Sequence, residues 1–97
     1  MDLALKGKIA VVTAASKGIG LAVTRMLVDE GAKVVAGART VEMLIGVPGV
    51  TALAVDLGSP DGPARLVAHA VEVHGRVDIL VNNMPAMVSA SVSFGTK

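Results

Sequence analysis

The chain has 97 residues, of which 53% are hydrophobic and 18% charged, with a formal net charge of +1. This length allows one small domain at most, and this composition excludes a disordered chain. The near-neutral charge without a basic run excludes an electrostatic footprint for nucleic acid, and no apolar stretch reaches membrane-spanning length.

There is no cysteine, so disulfide and thiol chemistry are excluded, and the composition suits a cytoplasmic address. The opening Met1–Lys6 is too short and wrongly charged for a secretory signal. Tyrosine and tryptophan are absent and phenylalanine occurs once, as Phe94, so a core must be built from Val, Ala, Leu and Ile.

Gly7-Lys8 forms a turn before a first strand predicted from Ile9 to about Thr13. The β-branched run Ile9-Ala10-Val11-Val12 is unbroken rather than alternating, as expected of a parallel strand covered on both faces. It leads through small residues to Gly18-Ile19-Gly20, where a helical pattern opens. A strand, a tight turn and a helix N-terminus in succession suit a phosphate. The unpaired N–H groups and the positive end of the helix dipole face it, and glycine lets it approach the backbone. The spacing is neither G-x-G-x-x-G nor an ATP-binding P-loop.

In the helix, Ile19, Val23, Met26 and Leu27 make an apolar stripe at helical period, and Gly31 stands where a C-terminal glycine belongs. Lys33 to Ala38 reads as the second strand, followed by Arg39. The apolar segment Val41–Ile45 is too short to cover a sheet well and is stopped by Gly46-Val47-Pro48-Gly49. Thr51–Val55 is the third strand, with Asp56 at its end. Ser59-Pro60 predicts a helix start with a hydroxyl cap, Leu66, Val67, Ala70 and Val71 give that helix its apolar face, and Gly75 ends it.

Asp78–Asn82 is the fourth strand. From residue 84 to 97 the periodicity fades into a poorly defined tail, compatible with strand, frayed helix or loop. Ser89, Ser91 and Ser93 read there as solvated loop residues. Met26, Met43, Met84 and Met87 read as core or loop filler, and Asp61 and Glu72 as a solvated helix face. His69 and His74 do not share a helical face and lack a third ligand, so no metal site is predicted.

Alternating strands and helices imply an α/β fold with a parallel sheet. Right-handed crossovers then give strand order 3-2-1-4, the first half plus one strand of the doubly wound, Rossmann-type dinucleotide fold, with its crevice above strands one and four. The expectation is a single incomplete domain over residues 1–97, truncated after strand four. That strand would have an open edge through which a homo-oligomer could form. The absent later helices would leave one sheet face partly bare.

Three motifs now combine. Thr13-Ala14-Ala15-Ser16-Lys17-Gly18-Ile19-Gly20 follows strand one, Asp56-Leu57 follows strand three, and Asn82-Asn83-Met84-Pro85 follows strand four. Together they resemble the N-terminal portion of the short-chain dehydrogenase/reductase family. That family has T-G-x-x-x-G-x-G, Asp-Leu or Asp-Val, and Asn-Asn-Ala-Gly at these places. Ala14 replaces the first glycine, and Met84-Pro85 replaces Ala-Gly.

The resemblance implies roles residue by residue. Thr13 would hold the turn. Ser16, Lys17, Gly18, Ile19 and Gly20 would line the phosphate and ribose end of a dinucleotide. Asp56 would accept the adenine amino group, with the Leu57 backbone nearby. Asn82 would sit beside the cofactor, and Asn83 would tie adjoining loops.

Cofactor preference follows from charge. An acidic residue about twenty positions after the glycine turn would accept the ribose hydroxyls of NAD. Arg39 stands in that region instead, and with Lys17 it would pair with the 2′-phosphate, favouring NADP(H) over NAD(H). In the family, an upstream serine and a Tyr-x-x-x-Lys pair carry the chemistry. This sequence has no tyrosine, Ser93 stands four places before Lys97, and no catalytic residue is assigned. Two functions are expected: the cofactor-binding portion of a carbonyl/alcohol oxidoreductase, inactive alone, or a non-enzymatic nucleotide-binding or dimerising module.

Overall fold

The computed structural model describes residues 5–13, 18–84 and 89–94. Among these residues eight elements follow one another: β1 (Ile9–Val12), α1 (Gly18–Asp29), β2 (Lys33–Ala38), α2 (Glu42–Ile45), β3 (Val50–Ala54), α3 (Gly62–His74), β4 (Ile79–Met84) and β5 (Ser89–Phe94). The strands form one sheet of order β3-β2-β1-β4-β5. The first four are parallel, in the predicted order 3-2-1-4.

β5 decides among strand, frayed helix and loop, the three readings the sequence leaves open for the tail, in favour of a strand. It returns antiparallel to β4, in a register that sets Met84 opposite Ser89 and Ile79 opposite Phe94. The edge of β4 expected to be open is therefore paired. Ser89, Ser91 and Ser93 occupy strand positions rather than a loop. Their alternation with Ala90, Val92 and Phe94 has the two-residue period of a strand. An antiparallel return needs only a short connection, whereas a parallel strand would need a crossover of a dozen residues or more.

The pleat divides the core into two layers. Ala10 and Val12 of β1, Val34, Ala36 and Ala38 of β2, and Ile79 and Val81 of β4 pack with Leu27 of α1 and Leu44 of α2. Val11 and Val35 face the other way, with Val55, Leu57, and Leu66 and Ala70 of α3. Coverage on both faces is why β1 and β2 read as continuous apolar runs. The short α2 covers more than its length suggests, because Leu44 is fully buried while Met43 and Ile45 are exposed.

In α1 the buried positions are Gly20, Thr24 and Leu27. Ile19 and Met26, expected on the core face, are 64% and 49% exposed, and Met43 is likewise exposed rather than core. Small residues at positions 20 and 24 let the helix lie close to the sheet. The Thr24 hydroxyl is satisfied by donating to the Gly20 carbonyl at 2.8 Å, so a polar residue can occupy the core side. α3 begins later than the Ser59-Pro60 signal, with Pro63 rather than Pro60 in its first turn. It ends as expected at Gly75, whose φ of 85° is left-handed and whose N–H donates to the Val71 carbonyl at 2.7 Å.

The end of the sheet where the parallel strands begin is closed by one carboxylate. Asp78 Oδ2 accepts from the Ile9 N–H at 2.9 Å and from Arg76 Nε at 2.9 Å. The Asp78 N–H donates to the Ile9 carbonyl at 2.8 Å. Arg76 Nη2 also donates to the Gly7 carbonyl at 3.2 Å. The Ile9 backbone bond, and then the Arg76 guanidinium, hold the Asp78 carboxyl below its ordinary value.

Candidate functional site

The candidate residues gather toward the opposite end: Thr13, Arg39 and Asp56 past the carboxyl ends of their strands, and Asn82 within β4, which runs two residues further than the sequence predicts. Val12, Ala36 and Ala52 lie in register across β1, β2 and β3, and Val12 also faces Val81 of β4. Thr13, Arg39, Asp56 and Asn82 all follow that row, on four separate segments. Ligand crevices of open parallel sheets lie there, where the strand order reverses between β1 and β4.

Thr13 joins the two strands at the reversal. Its N–H donates to the Val81 carbonyl at 3.0 Å, and its hydroxyl lies 3.3 Å from Asn82 Oδ1 and 3.4 Å from the Val81 carbonyl. Thr13 is buried, while Asn82 is exposed beside it. Thr13, expected to hold the first turn, is seen to hold Asn82.

α1 opens next to this junction. Gly18 has φ of 62°, in the left-handed region, and among the described residues no atom beyond its chain neighbours and its own helix lies within 4 Å of where its Cβ would stand. Gly20 is buried and Ile19 is exposed. The first turn of α1 contains no acidic residue, so its positive dipole end is not neutralised from within the helix. Ala14, Ala15, Ser16 and Lys17 lie outside the described residues, as do Pro85 and Met87, and of Asn83 and Met84 only the backbone is described.

Arg39 directly follows β2 and is exposed. Among the described residues it has neither an ion pair nor a side-chain hydrogen bond. Asp56 is exposed and Leu57 is buried, so the pair anchors by one side chain and presents the other. Asp56 Oδ1 accepts from the Gly58 N–H at 2.9 Å. This Asx turn was not anticipated, although Asp followed two residues later by Gly signals it. The Ser59 hydroxyl does not cap α3. It lies 3.0 Å from both the Asp56 carbonyl oxygen and Asp61 Oδ1, which draws Asp61 into the turn rather than onto a solvated helix face.

His69 and Glu72 face each other on α3 at 3.9 Å. Among the described residues no group of three or more His, Cys, Asp or Glu side chains could hold a metal ion, and no helix is long and apolar enough to cross a membrane.

A partly built doubly wound sheet with Thr13, Arg39 and Asp56 beyond the carboxyl ends of β1, β2 and β3, and Asn82 in the second half of β4, defines a protein with a Rossmann-type fold. The short-chain dehydrogenase family model matches residues 8–94, and the chain belongs to that family. It is 42% identical over 87 residues to dehydrogenase/reductase SDR family member 4 of Caenorhabditis elegans, covering 80% of this chain and 34% of that protein. Among solved structures it is similar to the L-sorbose reductase of Gluconobacter frateurii complexed with NADPH and L-sorbose. That match has a TM-score of 0.75 at 39% identity, covering 87% of this chain and 35% of the other. A metagenomic short-chain oxidoreductase in complex with NADP matches with a TM-score of 0.72 at 42% identity, covering 82% and 40%. The chain thus spans about a third of the length of the first two relatives.

Proposed function

We propose that this chain is the dinucleotide-binding portion of an NADP(H)-preferring short-chain reductase. In this reading the 97 residues bind the cofactor and do not by themselves interconvert a carbonyl and an alcohol. The observation that carries the proposal is Arg39. It is an exposed guanidinium at the carboxyl end of β2, without an ionic partner among the described residues. No carboxylate stands in β2 or beside Arg39 to accept ribose hydroxyls.

The residues fit the group. The missing Cβ at Gly18 and the start of α1, free of acidic residues, suit a pyrophosphate. Arg39 offers a forked donor to a 2′-phosphate, with Lys17 as the second cation. Asp56 accepts from the base, with Leu57 below it, while Ser16, Ile19 and Gly20 line the approach. Thr13 fixes Asn82 within β4. When bound, the cofactor supplies a hydride from its nicotinamide. The family's proton donor is a tyrosine phenol, and no tyrosine exists in these residues to deliver that proton.

The similar proteins solved with NADPH and with NADP support the choice of cofactor. The test is titration of the chain with NADPH and with NADH, followed by nicotinamide fluorescence. NADPH is expected to bind at least about tenfold tighter, the minimum for a charge-assisted pair. Equal affinities, or carbonyl reduction by the purified chain, would overturn the reading.

A further inference from the structure

The turn after β3 is tied to the first turn of α3 through a position that tolerates no side chain. Gly62 opens α3 and is buried. A Cβ there would collide with the Asp56 carbonyl oxygen, and would stand 2.9 Å from the Asp56 carbonyl carbon and 3.1 Å from Leu57 Cα. These are backbone atoms and cannot swing aside. The same carbonyl oxygen accepts from the Ser59 N–H at 3.2 Å, and the Gly62 N–H donates to the Ser59 carbonyl at 3.2 Å.

α3 is itself seated firmly. Leu66 is fully buried, and its Cδ2 lies 2.6 Å from where a Cβ of Gly37 would be, so the helix rests on bare β2 backbone. The seat of α3 therefore fixes the height of the Asp56 backbone. The Gly58 N–H then fixes the carboxylate through Oδ1. Among the described residues Oδ2 has no partner.

We propose that Gly62 is a positioning residue for base recognition, holding Asp56 where Oδ2 accepts a hydrogen bond from the exocyclic amino group of the cofactor's purine. The proposal rests on the reading of Asp56 as the adenine contact. Gly62 acts through Asp56 and touches no ligand. Without a side chain at position 62, α3 settles on the Asp56 carbonyl. With one, the turn is pushed off the helix and Oδ2 loses its aim.

The test compares NADPH with its hypoxanthine analogue, in which a carbonyl oxygen replaces the amino group and meets Asp56 acceptor to acceptor. The wild-type chain is expected to prefer NADPH by about tenfold or more, because hydrogen bonds to charged groups are worth at least about 1.5 kcal/mol. In Gly62→Ala the preference should fall to about twofold or less. A merely structural defect would weaken both ligands alike and leave their ratio unchanged, so the ratio is the readout.

If Gly62→Ala does not fold, Ser59→Ala serves instead. It removes the hydroxyl beside the Asp56 carbonyl and is expected to lower the ratio in the same direction. A folded Gly62→Ala, or in its place Ser59→Ala, that keeps the wild-type ratio overturns the role of this turn and leaves the cofactor reading standing. A wild-type chain that binds both ligands equally overturns the Asp56 contact and the proposal with it. A wild-type chain that binds neither overturns the proposed function itself.

Discussion

Where the parallel strands begin, Asp78 spends one carboxylate oxygen on the Ile9 N–H and on Arg76, and Arg76 spends its remaining reach on the Gly7 carbonyl. Where the strands end, among the described residues, Arg39 has no partner and Asp56 commits only Oδ1 of its carboxylate. Both ends carry an arginine and an aspartate. At one end the pair is closed on itself and on backbone. At the other the two residues follow different strands, and their side chains form no ion pair. The same residue types thus serve cohesion at one end and, among the described residues, are not paired with each other at the other.

The strongest way to break this contrast is to remove what both ends share. Leu66→Ala empties a fully buried site over Gly37 and is expected to cost about 2–5 kcal/mol, read from urea unfolding. Cofactor binding should fall with the folded fraction. Arg39→Ala should separate the ends. It is expected to lose about 1.5–3 kcal/mol of NADPH binding, with NADH binding and melting temperature unchanged. A melting temperature that falls together with NADPH affinity would make Arg39 a structural charge like Arg76.

Thr13→Val keeps the shape of the side chain and removes its hydroxyl from Asn82. A loss of about 1 kcal/mol in stability is expected, with a further loss in NADPH affinity when Asn82 is no longer held. An affinity change without a stability change would mean that Thr13 acts on the ligand directly.

The smallest effect belongs to the closed end. The Asp78 carboxyl is held below its ordinary 3.8, so its contribution to stability is present above that value and is lost as pH falls through the lower folded-state value. Asp78→Asn should lower the melting temperature at neutral pH without shifting the ratio of NADPH to NADH affinity. The gap between variant and wild type should close below about pH 4. A gap that stays constant down to pH 2 would show that geometry, and not charge, makes the clamp.

Much of this was legible in the sequence because it depends on neighbours along the chain. The unbroken run at Ile9–Val12, the glycines at 31 and 75, and Arg39 and Asp56 just past their strands are local features, and the right-handed crossover rule turns them into the order 3-2-1-4. The start of α3 was misjudged because Ser59 had two uses. Its hydroxyl could cap a helix or hold the Asp56 turn, and only the packing of Gly62 on Asp56 selects the second. The core face of α1 was misjudged for a related reason. Periodicity marks Ile19 and Met26 as apolar, but burial went to Gly20 and Thr24, whose small size lets the helix approach the sheet.

The sequence alone determined the fold class, the order of the first four strands and the segments whose ends carry Thr13, Arg39, Asp56 and Asn82. Hydrophobic period, turn residues and handedness act over short stretches of chain. Tertiary structure decided that Ser89–Phe94 pairs antiparallel with β4, that Asp78 closes the far end through residues distant in sequence, and that Thr13 grips Asn82. Each of these is a hydrogen-bonding choice among several available partners. Such a choice is settled only when folding brings one of them within about 3 Å and leaves the others out of reach.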